Sequence, residues 1–392
     1  MKVLHLLKTS IGASWALRQT TELVKLGVEV HLALPEGPMV EKYRQAGVSV
    51  HIFDPSVNIR QPWKNIGQIK ALRKLVENVK PDIIHSHFVA STLLMRLALR
   101  KVSIPRIFHV PGPLHLEHRI FRNIEIGLAT KDDYWLASCL WTKRKYLSCG
   151  IQESHVGLAY YGVNEEDFLF ANPTTDTLKK QLKLPEDSFV IGMVAYFYAP
   201  KKHLGQKRGL KGHEDLIDAV AVVQKTYPQV KCIFVGGPWG NTENYFNQVK
   251  EYAREKTGDS CIFLGLRKDV PQLYPQFDLA VHPSHSENVG GAVESMYAGV
   301  ATLSSDVGGF PDLVEDGITG YMAPAKDPAA LAKKIIQAIS HPIERLEYVK
   351  NASKKVSEVM NVQHNAKQVY DYYTHVLTDY LGAQENLRKT ND

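Results

Sequence analysis

Short apolar runs alternate with longer segments of helical spacing along the whole chain. In the first half, the pattern predicts strands at residues 3–7, 29–34, 48–53, 83–87, 106–110 and 134–138, with helices at 15–25 and 66–79. In the second half, it predicts strands at 190–195, 232–235, 262–264, 279–282 and 301–304, and helices at 214–227, 243–257, 328–340 and 362–381, together with a helix that ends at 298. This alternation is typical of βαβ units and of a parallel sheet.

The two sets of strands predict an α/β protein with two Rossmann-like, doubly wound domains that face each other across a cleft. We place the first domain at residues 1–163, the second at 164–361, and a helix with a polar tail at 362–392. The helix is expected to pack back on the first domain, and the tail to fray from residue 383. Because ligands bind at the carboxyl ends of the strands in such domains, chemistry is expected in the loops that follow them.

The composition excludes several classes of protein. With 44% hydrophobic and 22% charged residues among 392, the chain is neither collagen-like nor of low complexity nor largely disordered. No window reaches the ~18 consecutive apolar residues of a transmembrane helix. The first eight residues are interpreted as a strand rather than a secretion signal, because His5 and Lys8 interrupt their apolar run. Four scattered cysteines form no disulfide framework, so a reducing cytoplasm is expected.

Positive charge is concentrated in the first domain. Residues 1–163 contain 22 Lys and Arg against 12 Asp and Glu, a net +10, whereas the remainder contains 25 against 29, a net −4. The excess is equally consistent with surface lysines that serve solubility and with an anionic partner. Such a partner would be a phospholipid surface, a pyrophosphate-linked acceptor or a nucleic acid.

The segment 285–296, HSENVGGAVESM, is the strongest candidate for ligand binding. It follows a predicted strand, and its two glycines begin a helix whose free N–H groups can receive a diphosphate. Glu294, one turn into that helix, is placed to accept hydrogen bonds from a ribose, and Glu287, on the loop, from a sugar ring. An ordinary helix start with an acidic first turn is the alternative. The ligand-binding candidates of this segment are Asn288, Val289, Gly290, Gly291 and Glu294.

A basic loop at 199–211, APKKHLGQKRGLK, follows the first predicted strand of the second domain. Its cations are expected to neutralise phosphate charge, with Lys211 as the first candidate and Arg208 as the second. The other cations of the loop are expected to be solvated.

Two features of the first domain are also candidates. Gly12 lies in the loop after the first strand, where it can contact a ligand from the opposite side of the cleft, although the loop lacks the GxGxxG pattern of dehydrogenases. His109 precedes a Pro-Gly-Pro turn that is expected to aim its imidazole into the cleft, whereas His85 and His87 are interpreted as structural. The run HLEHRIFR at 115–122 fits an acceptor contact, a membrane contact or an ordinary helix.

No metal site is predicted. The chain contains no Asp-x-Asp, no HExxH and no Cys/His ligand spacing. We therefore expect no metal and no cofactor.

A series of seven motifs runs in order along the chain. Residues 160–164 resemble PNGVD, 190–195 with 211–213 resemble GRLxxxKG, 235–238 resemble VGxGP, 263–265 with 269–270 resemble FLGxxxDV, 283–299 resemble PSxxEGFGLxxLEAMAxG, 307–312 resemble VGGxPE and 316–320 resemble DGxTG. One such motif is a weak signal, but the seven in register are a strong one, and together they resemble glycosyltransferase family 4, the retaining enzymes of GT-B fold.

The resemblance implies roles for individual residues. Glu294 would hold the nucleotide ribose, Lys211 the diphosphate, and the amides at Gly290 and Gly291 the donor, with His109 beside the reacting sugar. The chain also departs from the family pattern in three places. Six residues instead of seven separate Glu287 from Glu294, Asp312 replaces a glutamate, and the family arginine is replaced near 195–196, where Arg208 or Lys202 would substitute.

These observations predict a metal-independent, retaining glycosyltransferase that moves a hexosyl or N-acetylhexosaminyl unit from a nucleotide-diphosphate sugar to a hydroxyl acceptor. The acceptor is expected to be a carbohydrate or an anionic, lipid-linked molecule of polysaccharide, glycolipid or lipid-linked oligosaccharide synthesis, and not a nucleic acid. The expected location is the cytoplasm, with peripheral contact to the acidic inner membrane face. The alternatives are a nucleotide-sugar epimerase of the same architecture and a non-catalytic nucleotide-sugar-binding protein.

Overall fold

The computed structural model describes residues 1–58, 61–110, 112–169, 178–202 and 205–389. The chain forms two compact units, Met1–Val163 with Met360–Asp392, and Asn164–Val359. Each unit is built on its own parallel sheet. The expectation of two Rossmann-like, doubly wound sheets with flanking helices is therefore confirmed.

The first unit alternates strands and helices around a seven-stranded sheet of order β3-β2-β1-β4-β5-β6-β7. Its strands are β1 (Lys2–Leu6), β2 (Glu29–Leu34), β3 (Ser49–Ile52), β4 (Ile83–Ser86), β5 (Arg106–His109), β6 (Asp133–Ala137) and β7 (Val156–Leu158). Its helices are α1 (Ser14–Lys25), α2 (Val40–Gln45), α3 (Asn65–Val79), α4 (Val89–Leu99), α5 (Leu114–Glu117), α6 (Arg119–Gly127) and α7 (Leu140–Ser148). Every residue of β4, β5 and β6 is buried, because helices cover both faces of the sheet.

The second unit repeats this plan around a six-stranded sheet of order β10-β9-β8-β11-β12-β13. Its strands are β8 (Val190–Val194), β9 (Lys231–Val235), β10 (Cys261–Gly265), β11 (Leu279–His282), β12 (Thr302–Ser305) and β13 (Tyr321–Ala323). Its helices are α8 (Glu166–Leu169), α9 (Leu178–Gln181), α10 (His213–Val223), α11 (Glu243–Thr257), α12 (Val270–Leu273), α13 (Gly290–Tyr297), α14 (Pro328–Ser340) and α15 (Pro342–Val359). The strand order reverses between β8 and β11, and a crevice is expected at such a point.

The last helix, α16 (Val362–Lys389), belongs to the first unit. Val369, Tyr373 and Val376 are part of the apolar core there. The hydroxyl of Tyr373 lies 2.5 Å from Nδ1 of His85 and 3.3 Å from Nε2 of His5, so the helix is joined to the sheet by polar contacts as well. The helix continues past its predicted end at 381 to Lys389, and fraying of the tail stays a prediction. Residues 390–392 of the expected tail lie outside the described residues.

Candidate functional site

A cavity of about 290 Å³ opens at the carboxyl ends of the strands of the second unit; we call it the strand-end pocket. It contains five of the candidates named from the sequence: Lys211, Glu287, Gly290, Gly291 and Glu294. It also contains side chains that the sequence did not single out, among them Tyr196, Tyr198, Leu266, Arg267, His282 and Phe310. The glycine-rich segment 285–296 and the end of the basic loop 199–211 therefore line the same pocket.

The topology of the sheet explains this convergence. Strand β11 is the direct neighbour of β8, although β9 and β10 lie between them in the sequence. The loop after β8 contains Tyr198 and Lys211, and the loop after β11 leads through Glu287 into α13. The two loops meet because the carboxyl ends of parallel strands share one edge of the sheet.

Two glycines allow the loops to approach the strand ends closely. Gly212 has a φ of +74°, and a β-carbon there would lie 2.0 Å from the carbonyl oxygen of Pro283. A β-carbon at Gly291 would lie 2.6 Å from Nδ1 of His282. A larger residue at either position would push the Lys211 loop or the start of α13 away from the sheet.

Lys211 and Glu287 form an ion pair at the wall of the pocket. Both side chains are largely buried, and the ammonium group also lies 6.0 Å from the ring centroid of Tyr198. Burial, and after it the negative charge of Glu287, raises the pKa of Tyr198 to about 12, so this hydroxyl stays protonated. Lys211 is thus a pocket cation paired with a carboxylate, and a more highly charged anion would compete with Glu287 for it.

The start of α13 supplies further polar groups. Its first residues, Gly290 and Gly291, line the pocket, and the first N–H groups of a helix have no partner within the helix. Glu294 lies one turn further on and accepts a hydrogen bond from the hydroxyl of Tyr274 at 3.2 Å. Burial, and then the charge of Glu294, raises the pKa of Tyr274, which keeps it a donor and fixes the carboxylate.

Arg208 differs from the expectation. It was expected to face phosphate, but it is not among the residues that line the pocket. Its Nη1 lies 2.5 Å from Oδ1 of Asp215 and its Nη2 lies 2.7 Å from Oδ2 of Asp218. Two carboxylates already neutralise the guanidinium group, and a role of Arg208 at the phosphates stays a prediction. Lys202 is exposed and does not line the pocket, and residues 203 and 204 of the loop lie outside the described residues.

Asp215 connects the two loops of the pocket. Besides Arg208 it binds the ring of His285, and the backbone N–H of His285 donates to the carbonyl oxygen of Leu210 at 2.8 Å. Although burial opposes the shift, hydrogen bonds and charges of His285 and Arg208 lower the pKa of Asp215, so the carboxylate is ionised. Asp215 therefore links Arg208 of the Lys211 loop to His285 of the Glu287 loop.

The side chain of His109 does not point outward, although the sequence predicts that it faces a ligand. Its side chain is fully buried, its Nε2 donates to the carbonyl oxygen of Ala159 at 3.0 Å, and its ring stacks on Tyr161 with centroids 4.1 Å apart. Burial lowers the pKa of His109 to about 3 and keeps it neutral. The Pro-Gly-Pro turn does not aim the imidazole outward, and Pro111 itself lies outside the described residues. A catalytic role of His109 stays a prediction.

The remaining candidates do not line the strand-end pocket. Gly12 lies in the first unit, at a φ of +66° in the exposed turn between β1 and α1. Val289 is buried and precedes α13, and Oδ1 of Asn288 is buried without a hydrogen-bond partner among the described residues. Their contribution to donor binding stays a prediction.

Three imidazoles of the first unit lie close together. Within the described residues, the ring nitrogens of His5, His85 and His87 are near enough to surround a metal ion. However, all three rings are fully buried, and His5 Nδ1 lies 2.9 Å from His87 Nε2, as in a hydrogen bond between neutral rings. Burial lowers the pKa of His85 and His87 well below the usual range. The group belongs to the core of the first unit and adds no ligand to the strand-end pocket.

The sequence did not single out Arg267, which lines the pocket, or Tyr274, which contacts the pocket residue Glu294. Arg267 follows β10, within the unspecified positions of the motif that resembles FLGxxxDV, and its guanidinium group binds Asp269. Tyr274 lies before the strand that leads to the pocket and carries no local signal. A cation directly after a strand was a usable signal for Arg267, whereas the contact of Tyr274 with Glu294 depends on tertiary packing.

No helix among the described residues is sufficiently long and apolar to span a membrane.

Two protein-family models match the chain. The model described as "Glycosyltransferase Family 4" matches residues 13–167, and the one described as "Glycosyl transferases group 1" matches residues 175–355. Together the two matches cover most of the chain.

Individual relatives agree with these matches. The chain is 23% identical to the capsular polysaccharide biosynthesis glycosyltransferase CapM of Staphylococcus aureus, over 97% of this chain and 99% of CapM. It is 22% identical to the UDP-Gal:alpha-D-GlcNAc-diphosphoundecaprenol alpha-1,3-galactosyltransferase of Escherichia coli, over 79% of each chain. The crystal structure of Anabaena HepE in complex with UDP shares the fold, with a TM-score of 0.79 and 22% identity over 95% of this chain and 100% of HepE. The chain thus belongs to glycosyltransferase family 4 and is a transferase of GT-B fold, of the kind used in polysaccharide or glycolipid synthesis.

Proposed function

We propose that the protein is a retaining glycosyltransferase that uses a uridine diphosphate sugar as donor and transfers its hexosyl or N-acetylhexosaminyl unit to a hydroxyl group. The acceptor is a carbohydrate or lipid-linked molecule, and the basic first unit favours an anionic one at the inner membrane face. The observation that carries the proposal is the strand-end pocket, where Lys211, the start of α13 and Glu294 lie together. HepE has been crystallised with UDP and with UDP-glucose, which supports the choice of uridine.

The pocket offers a separate partner for each part of such a donor. The ammonium group of Lys211 and the N–H groups at Gly290 and Gly291 would receive the diphosphate, because charge-assisted hydrogen bonds favour phosphate oxygens. Glu294, fixed by Tyr274, would accept the hydroxyls of the ribose. Glu287 would accept those of the sugar once Lys211 has moved to the diphosphate.

The proposed reaction is the retaining transfer that the family resemblance implies. The bond between the anomeric carbon and the leaving phosphate breaks, and the acceptor oxygen bonds to the same face of the sugar. The proton of the acceptor hydroxyl passes to the leaving phosphate, so no protein base is required. Lys211 and the helix start stabilise the charge that grows on the phosphate in the transition state, where such interactions lower the barrier most. No metal or cofactor takes part in this scheme.

Calorimetry with UDP tests the role of Lys211. Lys211→Ala removes a charged hydrogen bond worth about 1.5–3 kcal/mol, so UDP affinity should fall about ten- to hundredfold. The unpaired Glu287 would add repulsion. Lys201→Ala, which removes an exposed cation of the same loop, is the matched control and should leave affinity within about twofold. Equal affinities of the two variants would contradict the proposal.

A second variant separates the two roles assigned to the ion pair. Glu287→Gln frees Lys211 without removing it, so UDP should bind at least as tightly as to the natural protein. The same variant should lose turnover of UDP-sugars, measured as UDP release in the presence of acceptor, since it lacks the carboxylate assigned to the sugar. Weaker UDP binding with normal turnover would refute this division of roles. Product analysis by mass spectrometry distinguishes transfer from epimerisation.

A further inference from the structure

Helix α6 of the first unit carries an apolar face on its outside. Ile120, Phe121 and Ile124 are exposed to 62%, 42% and 47%, and Leu128, directly after the helix, to 38%. Spaced by one, four and eight positions, these side chains fall within one sector of about 100° on a helix. Four neighbouring apolar side chains on one helix face are more than the scattered exposed residues of an ordinary surface.

The inner face of α6 fixes this orientation. Glu125 is fully buried and accepts hydrogen bonds from Nη1 of Arg96 at 2.8 Å and from Nε1 of Trp135 at 3.0 Å. Nε of Arg96 in turn lies 3.0 Å from Oδ1 of Asp133 on β6. Rotation of the helix would bury its apolar residues, but it would remove one of the two carboxylate partners of Arg96 and the acceptor of Trp135 from the core, which is costly. The exposed apolar face is therefore a stable feature of the fold.

Positive charge accompanies the apolar face. Arg119, at the start of α6, and Lys131, shortly after its end, are exposed. Helix α4, joined to α6 through Arg96, ends in the exposed pair Arg100 and Lys101. Among the described residues of 97–131, these four exposed cations stand against one exposed carboxylate, that of Glu117. A second copy of the chain on this face would bring like charges together, whereas an anionic lipid surface complements them.

We propose that this surface (Arg119, Ile120, Phe121, Ile124, Leu128 and Lys131; the α6 surface) docks the first unit on an anionic phospholipid bilayer. The apolar side chains enter the boundary between head groups and acyl chains, and the cations contact the lipid phosphates. The inference rests on the proposed function, because it assigns a residue-level surface to the membrane contact proposed there. It also brings the enzyme to the place where a lipid-linked acceptor resides.

Sedimentation with vesicles tests the proposal. The full chain should sediment with vesicles that contain phosphatidylglycerol and remain in the supernatant with phosphatidylcholine alone. Added salt should weaken the binding without abolishing it, because the apolar contribution is not screened. Ile124→Asp should lower the fraction bound by more than about tenfold. Ile343→Asp is the matched control, since it places the same charge at an apolar residue of the second unit that is 81% exposed, and it should bind like the natural protein.

Other outcomes overturn the inference. Equal sedimentation with neutral and anionic vesicles, or equal binding of the Ile124→Asp and Ile343→Asp variants, would exclude the α6 surface as the docking site. A lipid-independent dimer in analytical ultracentrifugation that Ile124→Asp dissociates would assign the surface to a second copy. UDP binding is measured in parallel. If the natural protein does not bind UDP, the proposed donor is refuted. If it binds UDP but not the vesicles, only the α6 surface is refuted.

Discussion

Replacing Gly212 by alanine is expected to displace the loop that positions Lys211. The residue precedes α10 at a φ of +74°, where a β-carbon would meet the carbonyl oxygen of Pro283 at 2.0 Å and its carbonyl carbon at 2.8 Å. Both atoms belong to the backbone directly after β11, so neither can rotate away as the end of a side chain would. The Lys211 loop must therefore move away from the edge of the pocket.

Gly212→Ala should lower the free energy of unfolding in two ways, and a second glycine of the chain allows the two contributions to be measured separately. A left-handed backbone at a residue other than glycine costs about 1–2 kcal/mol. Overpacking adds about 1–3 kcal/mol. Gly299 has a φ of +69° with no atom within 4 Å of a β-carbon, so Gly299→Ala carries the first cost alone. We therefore expect Gly212→Ala to destabilise the second unit by about 2–5 kcal/mol and Gly299→Ala by about 1–2 kcal/mol.

Scanning calorimetry and UDP titration of both variants test this reasoning. One kcal/mol shifts Tm by roughly 2–4 °C in a unit of this size, so Gly212→Ala should melt at least about 2 °C below Gly299→Ala. At a temperature where both are folded, Gly212→Ala should bind UDP about tenfold more weakly, because Lys211 has moved. Equal melting temperatures together with equal UDP affinities would refute the close approach at Pro283.

Two further predictions concern other polar contacts. Asp215→Asn should lower UDP affinity and Tm, because it loosens the link from His285 to the Lys211 loop at a cost of about 2 kcal/mol. Asp218→Asn, which leaves that link intact, is the control, and a matching loss of affinity in both variants would exclude a specific role for Asp215. Burial lowers the pKa of His5 and His109 to about 3 in the folded state. Above pH 6.5 both states are neutral, and as the pH falls from 6.5 towards 3 the unfolded chain takes up protons first. Each of these histidines should then lower the free energy of unfolding by about 1.4 kcal/mol per pH unit. A Tm that is unchanged between about pH 7 and about pH 5 would contradict this burial.

Local signals explain why several elements match the sequence expectation at both ends. The strands Glu29–Leu34 and Leu279–His282 are short segments rich in apolar residues, and the helix Glu243–Thr257 ends at a glycine. The helix Pro328–Ser340 begins with proline after Asp327, whose side chain accepts the N–H of Ala330 at 2.9 Å. Caps, prolines and glycines act within a few residues, and the sequence displays them directly.

Other elements were not predicted because their stability comes from distant contacts. The strands Val156–Leu158 and Tyr321–Ala323 have three residues each, too few for a periodic pattern, and exist because they add to a sheet edge. The helix Pro342–Val359 buries only Tyr348, Ala352 and Val356 among its eighteen residues. Such a narrow apolar stripe is a weak signal without its packing partners.

The sequence alone determined the two-sheet α/β plan and the local chemistry of the glycine-rich segment, since periodicity, glycines and charges are properties of short stretches. The tertiary structure decided which charges remain for a ligand. Arg208 and Lys211 lie three positions apart, yet Arg208 is held by two aspartates and Lys211 faces the pocket. The difference arises because β11 pairs with β8 and brings the Glu287 loop against the basic loop, an adjacency between residues some seventy positions apart that no local pattern encodes.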